Sequence, residues 1–173
     1  MKYLTLFFLI SFSAFAQFHK TDSIGNFYVI ENELVWQKNY PLQDMDLLNQ
    51  KLNENPFTAG IDLQGQDNSK FIQNFRLSGE GLPAYASHDY NAFVVIDVFY
   101  DRYRVSVKSI NFPDFNETYY YNGIKNSTGR GSLEHYILKG NTIKRTTGAQ
   151  NVLYSFDNAF SQIFDPMAVT AEE

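Results

Sequence analysis

The residues able to do acid–base, nucleophilic or metal chemistry in this chain are few and are poorly spaced for it. Its only histidines are His19, His88 and His135. A serine nucleophile needs a histidine base and a turn that presents its hydroxyl, and no Gly-x-Ser-x-Gly elbow occurs. His88-Asp89 stands between Tyr85 and Tyr90 and reads as a polar lead-in to a strand. Zinc asks for three or four ligands, usually His or Cys; there is no cysteine, and neither His88 nor His135 has a short-spaced partner. The run from Asp62 to Asn68 lacks the alternating acidic residues and closing Glu of a calcium loop. Gly79-Glu80-Gly81 and Gly129-Arg130-Gly131 are too short to cradle a phosphate, and the pattern predicts no helix after either. Two of Glu80, Asp89, Asp97 and Glu117 would have to meet in one cleft for glycoside hydrolysis, and their spacing does not require it. No cofactor and no metal are expected. Asp97 has the most definite setting, between Ile96 and Val98 in a strand pattern, where an ion pair with Arg104 or Lys108 is the expected role.

The elements that position Asp97 are read from residues 92–112, two strands around a tight turn at Asp101-Arg102. A two-residue turn there sets Tyr100 opposite Tyr103, Val98 opposite Val105 and Ile96 opposite Val107. Val94, Ile96, Val98, Tyr100, Tyr103, Val105 and Val107 then share the core face. Phe93, Val95, Asp97, Phe99, Arg104, Ser106, Lys108 and Ile110 share the other, a mixed face. Residues 113–132 read as an irregular loop carrying Tyr119, Tyr120 and Tyr121. Either that loop covers the mixed face, making a second small core, or the face is an apolar patch of the kind that binds partners.

Other elements follow from period and punctuation. Residues 27–40 are strand-like with a polar break at Glu31-Asn32-Glu33, and Pro41 ends them. Asp44 caps a helix whose Met45, Leu48 and Leu52 share a face, and Asn55-Pro56 stops it. Phe71, Phe75 and Leu77 alternate as a strand; Leu133 to Lys139 is a further short strand, and Gly140-Asn141 a turn. Phe156, Ala159, Phe160, Ile163 and Phe164 follow helical spacing, closed by Pro166. The order gives an α+β class: an antiparallel sheet with two helices packed on one face.

The chain begins with Lys2, an apolar run from Leu4 to Phe12, and Ala14-Phe15-Ala16, the three parts of a secretory signal cleaved before Gln17. The apolar run is too short for a membrane span of about 20 residues. Residues 1–16 are thus expected to be a signal peptide, 17–26 a flexible leader, 27–165 one domain and 166–173 a frayed tail. Net charge is −5, and removal of Lys2 with the signal takes it one unit further; the fourteen Lys and Arg are scattered. That balance argues against nucleic acid, which needs clustered cations. With no cysteine there is no disulfide and no thiol for a lipid anchor. Sixteen Phe and twelve Tyr favour strands.

The run from Phe93 to Lys108, with Asp101-Arg102-Tyr103-Arg104 at its turn, resembles the central hairpin of a family of exported bacterial proteins, the domain of unknown function numbered 4468. Members show an Asp-Gly-Arg-Tyr-Arg-like turn, and this chain matches all but the glycine. The resemblance extends more weakly from Leu34 to about Phe164 and implies a TBP-like fold. TBP binds DNA, but a fold does not carry its function along. The family brings no catalytic motif.

The expected function is therefore a soluble, exported, non-enzymatic binding module of the periplasm or extracellular space. Its partner would be a protein, peptide or small ligand of the cell envelope, met by Phe93, Val95, Asp97, Phe99, Arg104, Ile110 and Tyr119–Tyr121. The alternatives are a carboxylate hydrolase and a structural subunit of an envelope assembly.

Overall fold

The computed structural model describes residues 22–63, 68–115, 117–121, 124–128 and 131–165. Residues 1–21, and with them Ala14, Ala16 and Gln17 of the expected cleavage site, lie outside the described residues, as does the expected tail 166–173.

The chain opens with β1 (Ser23–Ile24), β2 (Phe27–Ile30) and β3 (Glu33–Pro41), a meander joined by tight turns. Glu31 and Asn32 both have positive φ, 50° and 71°, the conformation a two-residue hairpin turn demands. The polar break is thus a reversal, not an interruption. Helix α1 (Met45–Glu54) is capped by Asp44, whose carboxylate accepts from the Asp46 and Leu47 amides. After β4 (Ser69–Arg76) and a single 3₁₀ turn at Ala84–Ser87, β5 (Asp89–Val98) and β6 (Arg102–Phe112) form the long central hairpin. Then come β7 (Glu117–Tyr121), β8 (Ile124–Thr128), β9 (Gly131–Ser132), α2 (Leu133–Ile137), β10 (Leu138–Lys139), β11 (Thr142–Ile143) and α3 (Thr147–Phe164).

The fold is α+β. The main sheet is antiparallel in the order β1-β2-β3-β6-β5-β4, with β9 on the far end of β6. Phe27, Val29, Leu34, Trp36, Val94, Ile96, Tyr103, Val105 and Val107 point to one face and join Leu48 and Leu52 of α1 and Val152, Phe156, Phe160 and Phe164 of α3 in a single core. Phe156, Phe160 and Phe164 recur at every fourth residue, so one stripe of α3 lays three rings on the sheet. Trp36 packs on Phe160 and Phe164 at ring-centroid distances of 5.4 and 5.8 Å.

Several expectations change. Residues 22–26 are no leader: Ile24 is buried, and Asp22 accepts from the Ile143 amide and pairs with Arg145. The turn of the central hairpin is Tyr100-Asp101, with the Phe99 amide donating to Arg102 O at 2.8 Å. The register accordingly moves by two residues, pairing Val98 with Tyr103 and Ile96 with Val105. A shift of two preserves which face each side chain takes. Tyr100 alone leaves the core, standing 102 % exposed at the tip. Glu117–Tyr121 and Ile124–Thr128 pair as antiparallel strands of their own, not as part of an irregular loop. Leu133–Ile137 is a helical turn rather than a strand, and it follows Gly131-Ser132 directly; Leu133 and Ile137 are its buried anchors.

Two bulges lie on either side of β5 near its start. Ser109 and Ile110 together oppose Ala92, and Gln73 and Asn74 together oppose Asn91. Ser109 and Asn74 each carry the left-handed φ of such a site, 54° and 60°. Each extra residue reverses the inward–outward alternation beyond it.

Four tyrosines, Tyr40, Tyr85, Tyr90 and Tyr103, are nearly enclosed in this core. Burial pushes all four hydroxyls well above the usual tyrosine value; at Tyr40 the Asp165 and Asp157 charges add to it, at Tyr85 the neighbouring Tyr136, and at Tyr103 first Tyr40 and then Asp165. A raised folded-state value means the folded chain holds protons that the unfolded chain gives up. Stability is then present in full below about pH 10 and falls above it, by up to about 1.4 kcal/mol per pH unit for each tyrosine. Denaturant unfolding across the alkaline range should show that decline; a curve flat past pH 10 contradicts it.

Candidate functional site

The helices occupy one face of the sheet, and the register dictates what stands on the other. Phe27 and Val29 turn inward, so Tyr28 and Ile30 turn outward; Trp36 and Tyr40 turn inward, so Val35, Gln37 and Asn39 turn outward. On β6 the outward set is Arg104, Ser106 and Lys108, and on β5 it is Phe93, Val95 and Asp97. The pairings assemble these into rows across the strands. Gln37 lies opposite Ser106 and Ser106 opposite Val95; Asn39 lies opposite Arg104 and Arg104 opposite Asp97. Lys108 lies opposite Phe93, and Phe93 opposite Phe71 of β4.

This face is an open trough of about 610 Å³ bounded by Ile30, Glu31 and Glu33 at one side and by Val95 and Asp97 at the other. Phe71 and Phe93 are each 41 % exposed and lie 4.8 Å apart, centroid to centroid. Phe99 is 37 % exposed, with the guanidinium carbons of Arg102 and Arg104 5.1 and 5.2 Å from its ring centre. Asp97 Oδ2 accepts from Arg104 Nε and Nη2 at 3.1 and 2.7 Å, and Asp97 Oδ1 accepts from Asn68 Nδ2 at 3.2 Å. Gln37 Nε2 donates to Ser106 Oγ at 3.2 Å. The Asp97–Arg104 pair keeps about a third of each side chain in solvent, so it holds the two groups in place more than it stabilises the fold.

Of the residues expected to bind, the structure brings together Phe93, Val95, Asp97, Phe99 and Arg104. Ile110 is not among them. It is 1 % exposed in the core, because the extra residue at Ser109 returns it to the inner face. The side chains of Tyr119, Tyr120 and Tyr121 lie outside the described residues; their backbone forms β7, paired with β8. Phe71, Asn68, Gln37 and Asn39 were not expected at the site. Strict alternation against Trp36 and Tyr40 marks Gln37 and Asn39. Phe71 was hidden because the Asn74 bulge lets Phe75 and Leu77 turn inward while Phe71 turns outward.

No protein-family model, curated protein or solved structure matches this chain.

The residues with catalytic potential are dispersed. His88 lies against Phe115 and His135 against Tyr136. Asp89 pairs with Arg76 at 2.7 Å, while Glu80 is exposed in a turn. Among the described residues no group of three or more His, Cys, Asp or Glu is placed to hold a metal ion, and no helix is long and apolar enough to cross a membrane. A second cavity, about 310 Å³, lies between α1 and the end of α3, lined by Leu48, Leu52, Tyr103, Val105 and Phe164. Lys51, Glu54, Asn55 and Asp165 also line it, so it pairs core side chains with a charged and polar set, but the exposed aromatic rings of the open face are not among its lining.

Proposed function

We propose that this chain is an exported, non-enzymatic binding module that holds its partner on the open face of the sheet. The carrying observation is the solvent-exposed aromatic pair Phe71–Phe93 beside the ordered Asn68–Asp97–Arg104 group on the open sheet face. Monomeric proteins seldom leave paired aromatic rings in water without use for them. Export rests on Lys2, the apolar run Leu4 to Phe12 and Ala14-Phe15-Ala16. The hairpin around Asp101-Arg102-Tyr103-Arg104 supports membership of the exported domain-of-unknown-function family numbered 4468, with its TBP-like fold.

Site-specific photo-crosslinking tests the face. Benzoylphenylalanine is placed at Phe93 or Phe99, and at Tyr154 on the exposed side of α3 as a control, in the full chain incubated with envelope extract. Adducts are expected from positions 93 and 99 and not from 154. Adducts from 154 alone, or from none of the three, overturn the reading.

A further inference from the structure

Resting on that reading of the open face, we infer that its ligand is a neutral glycan, an oligosaccharide lying along the trough. Three features of the surface select this class. The first is charge. The trough carries Glu31, Glu33 and Asp97 against Arg104 and Lys108, close to balance with a slight acidic excess. A single-stranded nucleic acid or other polyanion needs a continuous basic groove with stacking rings along it, and this lining offers only Arg104 and Lys108 against three carboxylates.

The second feature is shape. The strands under the trough already satisfy one another's backbone groups, so a peptide cannot add to them here as it would at a sheet edge. The exposed apolar surface of the face is mainly aromatic, at Phe71, Phe93 and Phe99, while Ile30, Val35 and Val95 line the shallow trough between the polar groups.

The third feature is the kind of polar group. A sugar hydroxyl both donates and accepts, so a site for it needs donors and acceptors side by side. Asp97 supplies acceptor oxygens next to the donor fork of Arg104, and Gln37 and Asn39 each present an amide with both functions. The hydrogen bonds from Asn68 and Arg104 to Asp97, and from Gln37 to Ser106, fix these groups before any ligand arrives. Rings present an electron-rich face, against which the slightly positive C–H face of a pyranose packs. Phe93 and Asp97 stand four residues apart on β5, about 13 Å along the strand. A single sugar cannot reach both ends; an oligosaccharide can.

The test is titration of the ¹⁵N-labelled full-chain protein with cellohexaose, chitohexaose and mannohexaose, each followed by amide shifts and calorimetry. Hexagalacturonate serves as the charged counterpart. At least one neutral hexasaccharide is expected to shift the amides of Gln37, Val95 and Ser106. Phe93→Ala should weaken that binding about tenfold or more, while Tyr154→Ala leaves it unchanged. Phe93 is exposed, so the variant should keep the native amide spectrum, which the same experiment reads. The inference fails if no neutral hexasaccharide moves the sheet-face amides, if the shifts gather around α1 and α3 instead, or if hexagalacturonate binds more tightly. Photo-crosslinks from position 93 to a protein, with no glycan bound, would sink the glycan assignment and leave the binding face standing.

Discussion

Trp36→Ala is expected to lower the stability of the domain by about 3–5 kcal/mol, the range for truncating a fully buried large aromatic. The indole is wholly enclosed between β3 and α3, on Phe160 and Phe164. Its Nε1 also donates to Asp157 Oδ1 at 2.8 Å, so the truncation opens a cavity and removes a hydrogen bond to a charged acceptor. Trp36→Phe separates the two effects. It keeps a ring in the space and loses the donor, and should cost about 1.5–3 kcal/mol, the range for a hydrogen bond to a charged group. Trp36 is the only tryptophan, so the variants are followed by circular dichroism rather than by tryptophan fluorescence. A Trp36→Ala protein within about 1 kcal/mol of the parent would mean that this ring does not seat α3 on the sheet.

Gly25→Ala should also be costly, about 3 kcal/mol, for two reasons at one position. Gly25 has φ of +56°, where a side chain costs about 1–2 kcal/mol. A Cβ there would also collide with Asp157 Oδ2. That carboxylate cannot swing aside freely, since Oδ1 accepts from both Trp36 Nε1 and Asn26 Nδ2 at 2.8 and 2.7 Å. Displacing it leaves the Trp36 donor buried without its partner. The prediction has a sharp companion: in an Asp157→Ala background the collision is gone, and the cost of Gly25→Ala should shrink to the φ penalty alone. A double-mutant cycle by urea unfolding reads this directly, and additive single effects would refute the coupling. The result also bears on where the domain begins, because it makes the turn before β2 a structural part of the fold.

The Asp157 cluster was not legible in the sequence. Asn26, Trp36 and Asp157 are separated by 10 and 121 residues, and nothing local to any of them signals the other two. The central hairpin was legible in its faces but not in its turn. Alternation of apolar residues constrains register only to within steps of two, so Tyr100-Asp101 and Asp101-Arg102 place the same side chains inside. Ile110 was assigned to the wrong face, and Phe71, grouped with Phe75 and Leu77, was not separated from them, for a common reason. Alternation holds until a bulge adds a residue, and the bulges at Ser109 and Asn74 use ordinary residues in a left-handed conformation that carries no clear sequence mark.

The sequence by itself determined the α+β class, the Asp44 cap, the aromatic stripe of α3 and an ion pair for Asp97, whose partner, Arg104 over Lys108, the observed register chose. Each depends on spacing within one segment or across one hairpin, where period and neighbour chemistry suffice. Tertiary structure alone decided that β4, through Phe71, completes the aromatic end of the open face. It alone decided that Gln37 and Asn39 of β3 complete the polar end. Those strands reach the site through lateral order, β3 to β6 to β5 to β4, and lateral order is set by how the whole sheet buries its inner face, not by any residue on its outer one.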